Sequence, residues 1–261
     1  MEFTEPKVFH VAQTGIDDDG VAAYLAEIGA PQWTTDAATG AEKLIEVMGK
    51  TCYMSFDKKL NANLTQTRTG SAAYLKSIVT SKHGSVLEHS SDSYMIFCSR
   101  AVTHQIVRTR VGVSFSQQSL HYVRIEHLRS ALPAVFAEHP RAAEIRTLYK
   151  SKFEDLEKAQ LELAKLVDID SQPFHTKKAL TTAMRRLAPI GMETILGMSA
   201  NHRTWRWCIS QRTSRFNDAE IRKVFALIFE EQRKRYPHLY YDAVTEEIDG
   251  VLEVRFENEK V

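Results

Sequence analysis

The sequence predicts an α+β fold, and three observations carry that prediction. Short β-rich runs and long amphipathic stretches follow one another without the regular strand–helix alternation of a doubly wound sheet. No two of the 11 glycines lie two residues apart, so the G-x-G-x-x-G turn of a dinucleotide-binding unit is absent. With only 7 prolines and no repeat, low-complexity tract or Gly/Ser linker, the 261 residues offer few hinges, and their length is enough for one large domain or two small ones.

The elements follow in order. Residues 7–13 alternate as a strand, and residues 39–51 read as a helix with Ala41, Leu44, Ile45 and Met48 on one face. A second helix spans 70–81 and ends near Lys82-His83-Gly84. Residues 93–99, aromatic and β-branched, form a strand. A short helix over 101–107 leads into an unusually polar segment, 105–122, part of which alternates as an extended chain. Residues 140–167 make a long charged amphipathic helix, and 171–187 another. A short strand at 194–199 precedes Asn201, which suits the N-cap of a helix reaching about Thr213. A last helix over 219–236 and a strand over 251–256, after Asp249-Gly250, complete the prediction.

Composition narrows the function classes. Hydrophobic residues are 43% and charged residues 26%, an ordinary globular balance, and the net charge of +1 favours neither nucleic acid nor an acidic membrane. Any anion site must therefore be a local cluster of arginines. Cys52, Cys98 and Cys208 lie far apart without metal spacing, which suits reduced thiols in a cytoplasmic protein. No signal-like start or membrane-length apolar run is present. Asn63-Leu-Thr65 matches a glycosylation sequon but carries no meaning without a secretory signal. The phosphate loop, the H-E-x-x-H pattern and the serine elbow are all missing.

Four clusters carry chemistry. His83-Gly-Ser85-Val-Leu-Glu88-His89 has spacing unlike that of a helical metal-ligand pair, so no metal is expected and a polar binding loop or a structural network is favoured. Gln105 to Tyr122 crowds arginines, glutamines, serines and His121 around Gly112. His104 and Arg108 share a helical face, and such directional groups suit a phosphate, a ribose and a flat heterocycle. The competing reading is a polar corner whose arginines pair with surface acids. Arg185-Arg186 alone is a weak signal. In Asn201 to Arg212, helical spacing puts Asn201, Trp205, Cys208 and Arg212 on one face with Arg203 and Trp207 beside it. An indole among guanidinium groups can rest a heterocycle, although tryptophans at helical spacing are more often core.

The order and spacing of these clusters resemble the flavin-dependent thymidylate synthases, the ThyX family. The resemblance runs from Trp33-Thr-Thr-Asp36 through Gly49-Lys-Thr-Cys-Tyr53, Val86-Leu-Glu-His89, Arg100, Thr103-His-Gln105 and Arg108-x-Arg110. It continues through Ser114-Phe-Ser-Gln-x-Ser119, Arg185, Asn201-x-Arg203-x-Trp-Arg206, Arg212 and Asp218-x-Glu-Ile-Arg222. It implies a single domain over 1–261, a mixed sheet with long helices, and a homotetramer with active sites where subunits meet. His83, Ser85, Glu88, Arg108, Thr109, Arg110, Gln117, Asn201, Arg203 and Trp207 would hold or border FAD. Gln105, Arg108, Gln117, Ser119, Leu120, His121, Arg185 and Arg212 would line a uracil nucleotide pocket. Arg212 is the catalytic candidate, facing the pyrimidine. The implied reaction is reductive methylation at C5 of dUMP, with methylenetetrahydrofolate and NADPH as co-substrates and no cysteine nucleophile.

Departures from the family pattern leave the substrate open. The motif reads Arg108-Thr-Arg110 instead of Arg-His-Arg, and eight residues, one more than usual, separate Arg110 from Ser119. His121 stands where an arginine usually grips the nucleotide phosphate, so Arg124 or Arg186 becomes a candidate replacement. Trp207 and Phe216 occupy positions where smaller or more polar residues are common. Three readings follow: dUMP methylation, the same chemistry on another uracil nucleotide such as UMP, or a non-catalytic flavin- or nucleotide-binding relative. A nucleic-acid-binding module would rest only on neighbouring arginines and aromatics, and predicts no flavin.

Overall fold

A computed structural model describes residues 1–121 and 127–261. The strands are β1 (Glu2–Phe3), β2 (Lys7–Gln13), β3 (Ser91–Ser99), β4 (Val113–Gln117), β5 (Arg129–Ser130), β6 (Glu193–Asn201), β7 (Ala243–Ile248) and β8 (Val251–Phe256). The helices are α1 (Asp18–Glu27), α2 (Gly40–Tyr53), α3 (Ser71–Thr80), α4 (Arg100–Ile106), α5 (Ala134–Ala137), α6 (Ala142–Leu166), α7 (Phe174–Met184), α8 (His202–Thr213) and α9 (Ala219–Arg235). The α+β class stands. The mixed sheet needs correcting: the four-stranded sheet β2-β3-β6-β4 is antiparallel throughout, and the parallel pair β1–β5 is a separate two-residue ribbon.

Period-2 burial gives the sheet two different faces. Tyr94, Ile96 and Cys98 of β3 and Leu196, Met198 and Ala200 of β6 point inward, onto Trp205 and Ile209 of α8 and Phe225, Ile228 and Phe229 of α9. On the opposite face Phe9, Val11 and Met95 stay substantially exposed, and Phe9 meets Phe97 edge to face at 5.6 Å. The β7–β8 hairpin closes the far end of α8 and α9 through Val254 and Phe256.

Side-chain caps set the helix starts. Thr39, Ser99, Asn201 and Asp218 each accept a hydrogen bond from a backbone N–H in the first turn, worth about 1 kcal/mol apiece. The predicted 171–187 helix divides, because Pro173 starts α7 and its last three residues tighten into a 3-10 turn at Arg185–Leu187. Strand β6 is longer than predicted, alternating in burial over nine residues. Helix α1, capped by Asp17, and strand β7 were not foreseen: α1 buries Leu25 alone, and β7 carries exposed glutamates.

The tightest polar anchor is Arg206, fully buried on α8. It grips Asp242 through two hydrogen bonds at 2.8 and 2.9 Å, and donates to the carbonyls of Leu239 and Val261. Its guanidinium also lies 4.0 Å from the Phe256 ring centroid. This network fastens the C-terminal segment to the helix that carries Arg203 and Arg212.

Candidate active site

The direction of α4 is fixed before any site residue appears. Ser99 caps it, and both the Ser99 N–H and hydroxyl donate to the carboxylate of Glu220 on α9, at 2.7 and 2.6 Å. Past Ile106 the chain unwinds through Arg108 and Thr109, then reverses at Gly112, whose φ is +69°. A side chain there would collide with the Thr204 hydroxyl and come within 3.3 Å of Asn201 Nδ2. Glycine therefore lets the Arg108–Arg110 turn press against the first turn of α8. Arg108 and Arg110 are exposed on that turn, while Thr109 is buried behind it.

His104, Gln105, Arg108 and Arg212 line an open cavity of about 470 Å³. Arg212 reaches it from the last turn of α8. One of its terminal nitrogens donates to the Gln105 carbonyl at 3.2 Å and the Thr109 hydroxyl at 3.4 Å, and its buried Nε lacks a partner among the described residues. An unpaired buried donor is costly, so this geometry favours a ligand acceptor. Burial pushes the thiol of Cys208, behind the site, up to about 12, and that of Cys98 higher still. Neither is a ready nucleophile.

Of the nucleotide residues named from the sequence, Gln117, Ser119, His121 and Arg185 gather at the end of β4, apart from the Gln105, Arg108 and Arg212 that line the cavity. Gln117 donates to the Thr103 hydroxyl at 2.9 Å, and Ser119 accepts from the His121 N–H at 3.1 Å. The His121 ring lies between two partners, Thr182 Oγ1 at 2.8 Å from Nδ1 and Arg185 Nη1 at 2.6 Å from Nε2. Arginine can only donate, so Nε2 accepts. Leu120 turns away, packing with Leu128, Phe153 and Met192, so only its backbone faces the site. Arg186 is exposed. Tyr122 and Arg124 lie outside the described residues.

The residues expected beside a flavin collect around the start of α8. Asn201 is its cap. Arg203 donates to Glu88 at 2.6 Å and to the Lys260 carbonyl at 3.2 Å. Gly84 is packed so closely that a Cβ would approach Lys260 O at 2.9 Å and Arg203 Nε at 3.0 Å. Ser85 is exposed, and His83 meets Tyr53 edge to face at 5.7 Å. The two tryptophans separate. Trp205 is core, donating to the Asp92 carbonyl at 3.3 Å, whereas Trp207 is 49% exposed and open to stacking. Arg203–Glu88 is an exposed pair of the kind worth about 1 kcal/mol or less, easily exchanged for an anion.

The profile described as "Thymidylate synthase complementing protein" matches residues 35–238. The chain belongs to this family. It is 32% identical over 224 residues to a flavin-dependent thymidylate synthase of Corynebacterium efficiens, covering 84% of this chain and 86% of that protein. A second, from Mycobacterium marinum, is 34% identical over 210 residues, 77% of this chain and 78% of the relative. A probable flavin-dependent thymidylate synthase of Mycobacterium phage D29 is 32% identical over 246 residues, 92% and 97% of the two chains. Among solved structures, a UMP/dUMP methylase, PolB from Streptomyces cacaoi, bound with 5-Br dUMP, shares the fold. It has a TM-score of 0.60 at 15% identity, over 92% of this chain and 96% of that one.

Sequence reasoning passed over two residues that the geometry makes important. Glu220, which orients α4, stands in the Asp218-x-Glu-Ile-Arg222 match without an assigned task, and Thr182, which orients His121, appears in sequence only as an ordinary helical polar residue.

Proposed function

We propose that this chain catalyses flavin-dependent reductive methylation at C5 of a uracil nucleotide, converting dUMP to dTMP, with methylenetetrahydrofolate and NADPH as co-substrates. The observation that carries the reading is Arg212, whose buried Nε has no partner among the described residues and lies beside a cavity shared with Gln105 and Arg108. A fixed cation at N3 and O4 of a pyrimidine polarises the ring and stabilises charge developing there, without reorganisation. Arginine stays charged at any working pH.

The donor set fits FAD. Arg108, Arg110 and Arg212 make no carboxylate ion pair among the described residues, and Arg203 has only an exposed one, so cations remain for a pyrophosphate. His83, Ser85, Glu88, Thr109, Gln117, Asn201 and Trp207 complete the assigned flavin surroundings, Thr109 acting from behind by holding Arg212. When bound and reduced by NADPH, FAD supplies the hydride that completes the methyl group. Gln105, Arg108, Gln117, Ser119, the Leu120 backbone, His121, Arg185 and Arg212 are assigned to the nucleotide. The exposed Phe9, Val11 and Met95 suit burial against a second copy, consistent with a homotetramer of single-domain, cytoplasmic subunits. No helix among the described residues is long and apolar enough to cross a membrane, and no nucleic-acid partner is assigned.

His121 favours keeping UMP as a second substrate, since the change falls on the nucleotide side of the site. Purified protein supplied with FAD, NADPH and methylenetetrahydrofolate, and assayed with dUMP and UMP side by side, decides between them. Product from dUMP is the expected result, and product from UMP alone selects the second reading. Bound FAD with neither nucleotide methylated overturns both and leaves a non-catalytic relative.

A further inference from the structure

Residues 257–261, which follow β8, lie outside the span 35–238 matched by the family profile. They nevertheless reach the flavin side of the site. The Lys260 carbonyl accepts from Arg203 Nη2 at 3.2 Å, while Arg203 Nη1 donates to Glu88 at 2.6 Å. The two partners differ in kind. Glu88 is an exposed carboxylate that offsets the guanidinium charge and is easily exchanged for another anion. The carbonyl is neutral and belongs to the backbone, so it orients Arg203 and leaves its positive charge available.

That carbonyl is itself held from behind. Val261 is buried in the main core, its N–H donates to the Asn258 carbonyl at 3.2 Å, and its carbonyl accepts from Arg206 Nε at 2.9 Å. Asn258 is fixed in turn. Its backbone N–H and side-chain amide donate to Asp242 at 3.1 and 3.0 Å, the carboxylate that also pairs with Arg206. Arg206 stands three residues after Arg203 on α8, so two guanidinium groups on neighbouring helix positions grip consecutive carbonyls, Lys260 and Val261. Opposite them, Gly84 opens the Gly84–His89 turn that carries Ser85 and Glu88. A Cβ at Gly84 would approach Lys260 O at 2.9 Å, Arg203 Nε at 3.0 Å and Val261 Cα at 3.1 Å. Residues 260–261 are thus wedged between α8 and this turn, with room only for a glycine.

We propose that Lys260 is a positioning residue for FAD: its backbone carbonyl holds Arg203 at the start of α8, and Val261 and Gly84 hold that carbonyl. Glu88 is the partner exchanged for the anionic oxygens of the cofactor, and the Lys260 carbonyl is the one retained. An arginine already held in one geometry loses less side-chain freedom when it binds. FAD affinity therefore depends on a segment beyond the matched residues. This role rests on the function proposed above, which assigns Arg203 to FAD.

The test measures the FAD dissociation constant of the full chain by flavin fluorescence, for wild type, Gly84→Ala and Val261→Gly, each with and without Arg203→Gln. Gly84→Ala displaces the carbonyl from the loop side, and Val261→Gly loosens it from the core side. Melting curves fix a temperature at which every variant compared is folded. Each single variant should weaken FAD binding roughly three- to tenfold, the cost of ordering a freed arginine side chain. In the Arg203→Gln background the same substitutions should change affinity by less than about twofold, because the group they aim is gone. An undiminished loss in that background assigns the effect to general loosening and overturns the role of Lys260, as does unchanged affinity in both single variants. If Val261→Gly does not fold, Gly84→Ala with and without Arg203→Gln decides alone. Wild type that binds no FAD removes the methylation reading and this role together, whereas the two preceding outcomes remove this role only.

Discussion

Replacing Gly112 by alanine tests whether the turn between α4 and β4 is built as described. The φ of +69° at this position costs an L-residue about 1–2 kcal/mol. The new Cβ would also overlap the Thr204 hydroxyl and sit 3.3 Å from Asn201 Nδ2, and overpacking of that kind costs about 1–3 kcal/mol. The two contributions together predict a loss of about 2–5 kcal/mol, read by urea or thermal unfolding of the flavin-loaded protein. They are separable. Thr204→Ala removes the overlapping oxygen but leaves the backbone strain, so Gly112→Ala/Thr204→Ala should recover about 1–3 kcal/mol relative to Gly112→Ala. Because the turn carries Arg108 and Arg110, Gly112→Ala should also weaken nucleotide and flavin binding. A variant as stable as wild type, or a double mutant with no recovery, would refute the reasoning.

Three further outcomes follow from the same structure. Arg212→Ala should lower turnover by about two to three orders of magnitude while FAD remains bound, measured by product formation and flavin absorbance; wild-type-like turnover would remove its catalytic role. Breaking the buried pair singly, by Arg206→Met or Asp242→Asn, should cost about 3–5 kcal/mol of unfolding free energy, with Arg206→Met/Asp242→Leu less destabilised than the sum. Burial lowers the His202 pKa from 6.5 to about 4, so the folded protein holds this ring neutral where the unfolded chain protonates it. Its contribution is complete above about pH 6.5 and is lost as pH falls toward 4, at most roughly 3 kcal/mol. Unfolding titrations of His202→Gln should show a shallower acid dependence; an unchanged slope would assign the acid sensitivity to other groups.

Much of the fold was legible because periodicity and caps coincide. Asn201 stands before the apolar-periodic start of α8, and β3 is β-branched and aromatic along a face that α9 must cover. Helix α1 and strand β7 were illegible for the converse reason: neither presents a continuous apolar stripe, α1 being held by residues of the following helix and loop and β7 by its hairpin partner β8. The antiparallel sheet was hidden because strand order depends on which runs meet, and β6 lies between β3 and β4 despite following both. In the site, arginines announced themselves by type, but their partners did not. That Thr109 faces inward to Arg212 and that Leu120 serves a hydrophobic cluster follow only from the turn at Gly112 and the packing of 188–192 beside the end of β4.

Strand β4 also constrains how the loop can vary in length. Its five residues pair with Ala200 to Leu196 of β6 in unbroken register, without a bulge. A one-residue slip within it would send Ser114 and Ser116 to the face now held by Val113 and Phe115. The residue by which this chain exceeds the usual spacing between Arg110 and Ser119 must therefore be absorbed outside 113–117, at Val111–Gly112 or at Gln118. The strand acts as a ruler of fixed length between the Arg108–Arg110 turn and the corner that holds Ser119 and His121. Added length at either end of that ruler changes the distance between the two corners, while the sheet that holds both ends stays unchanged.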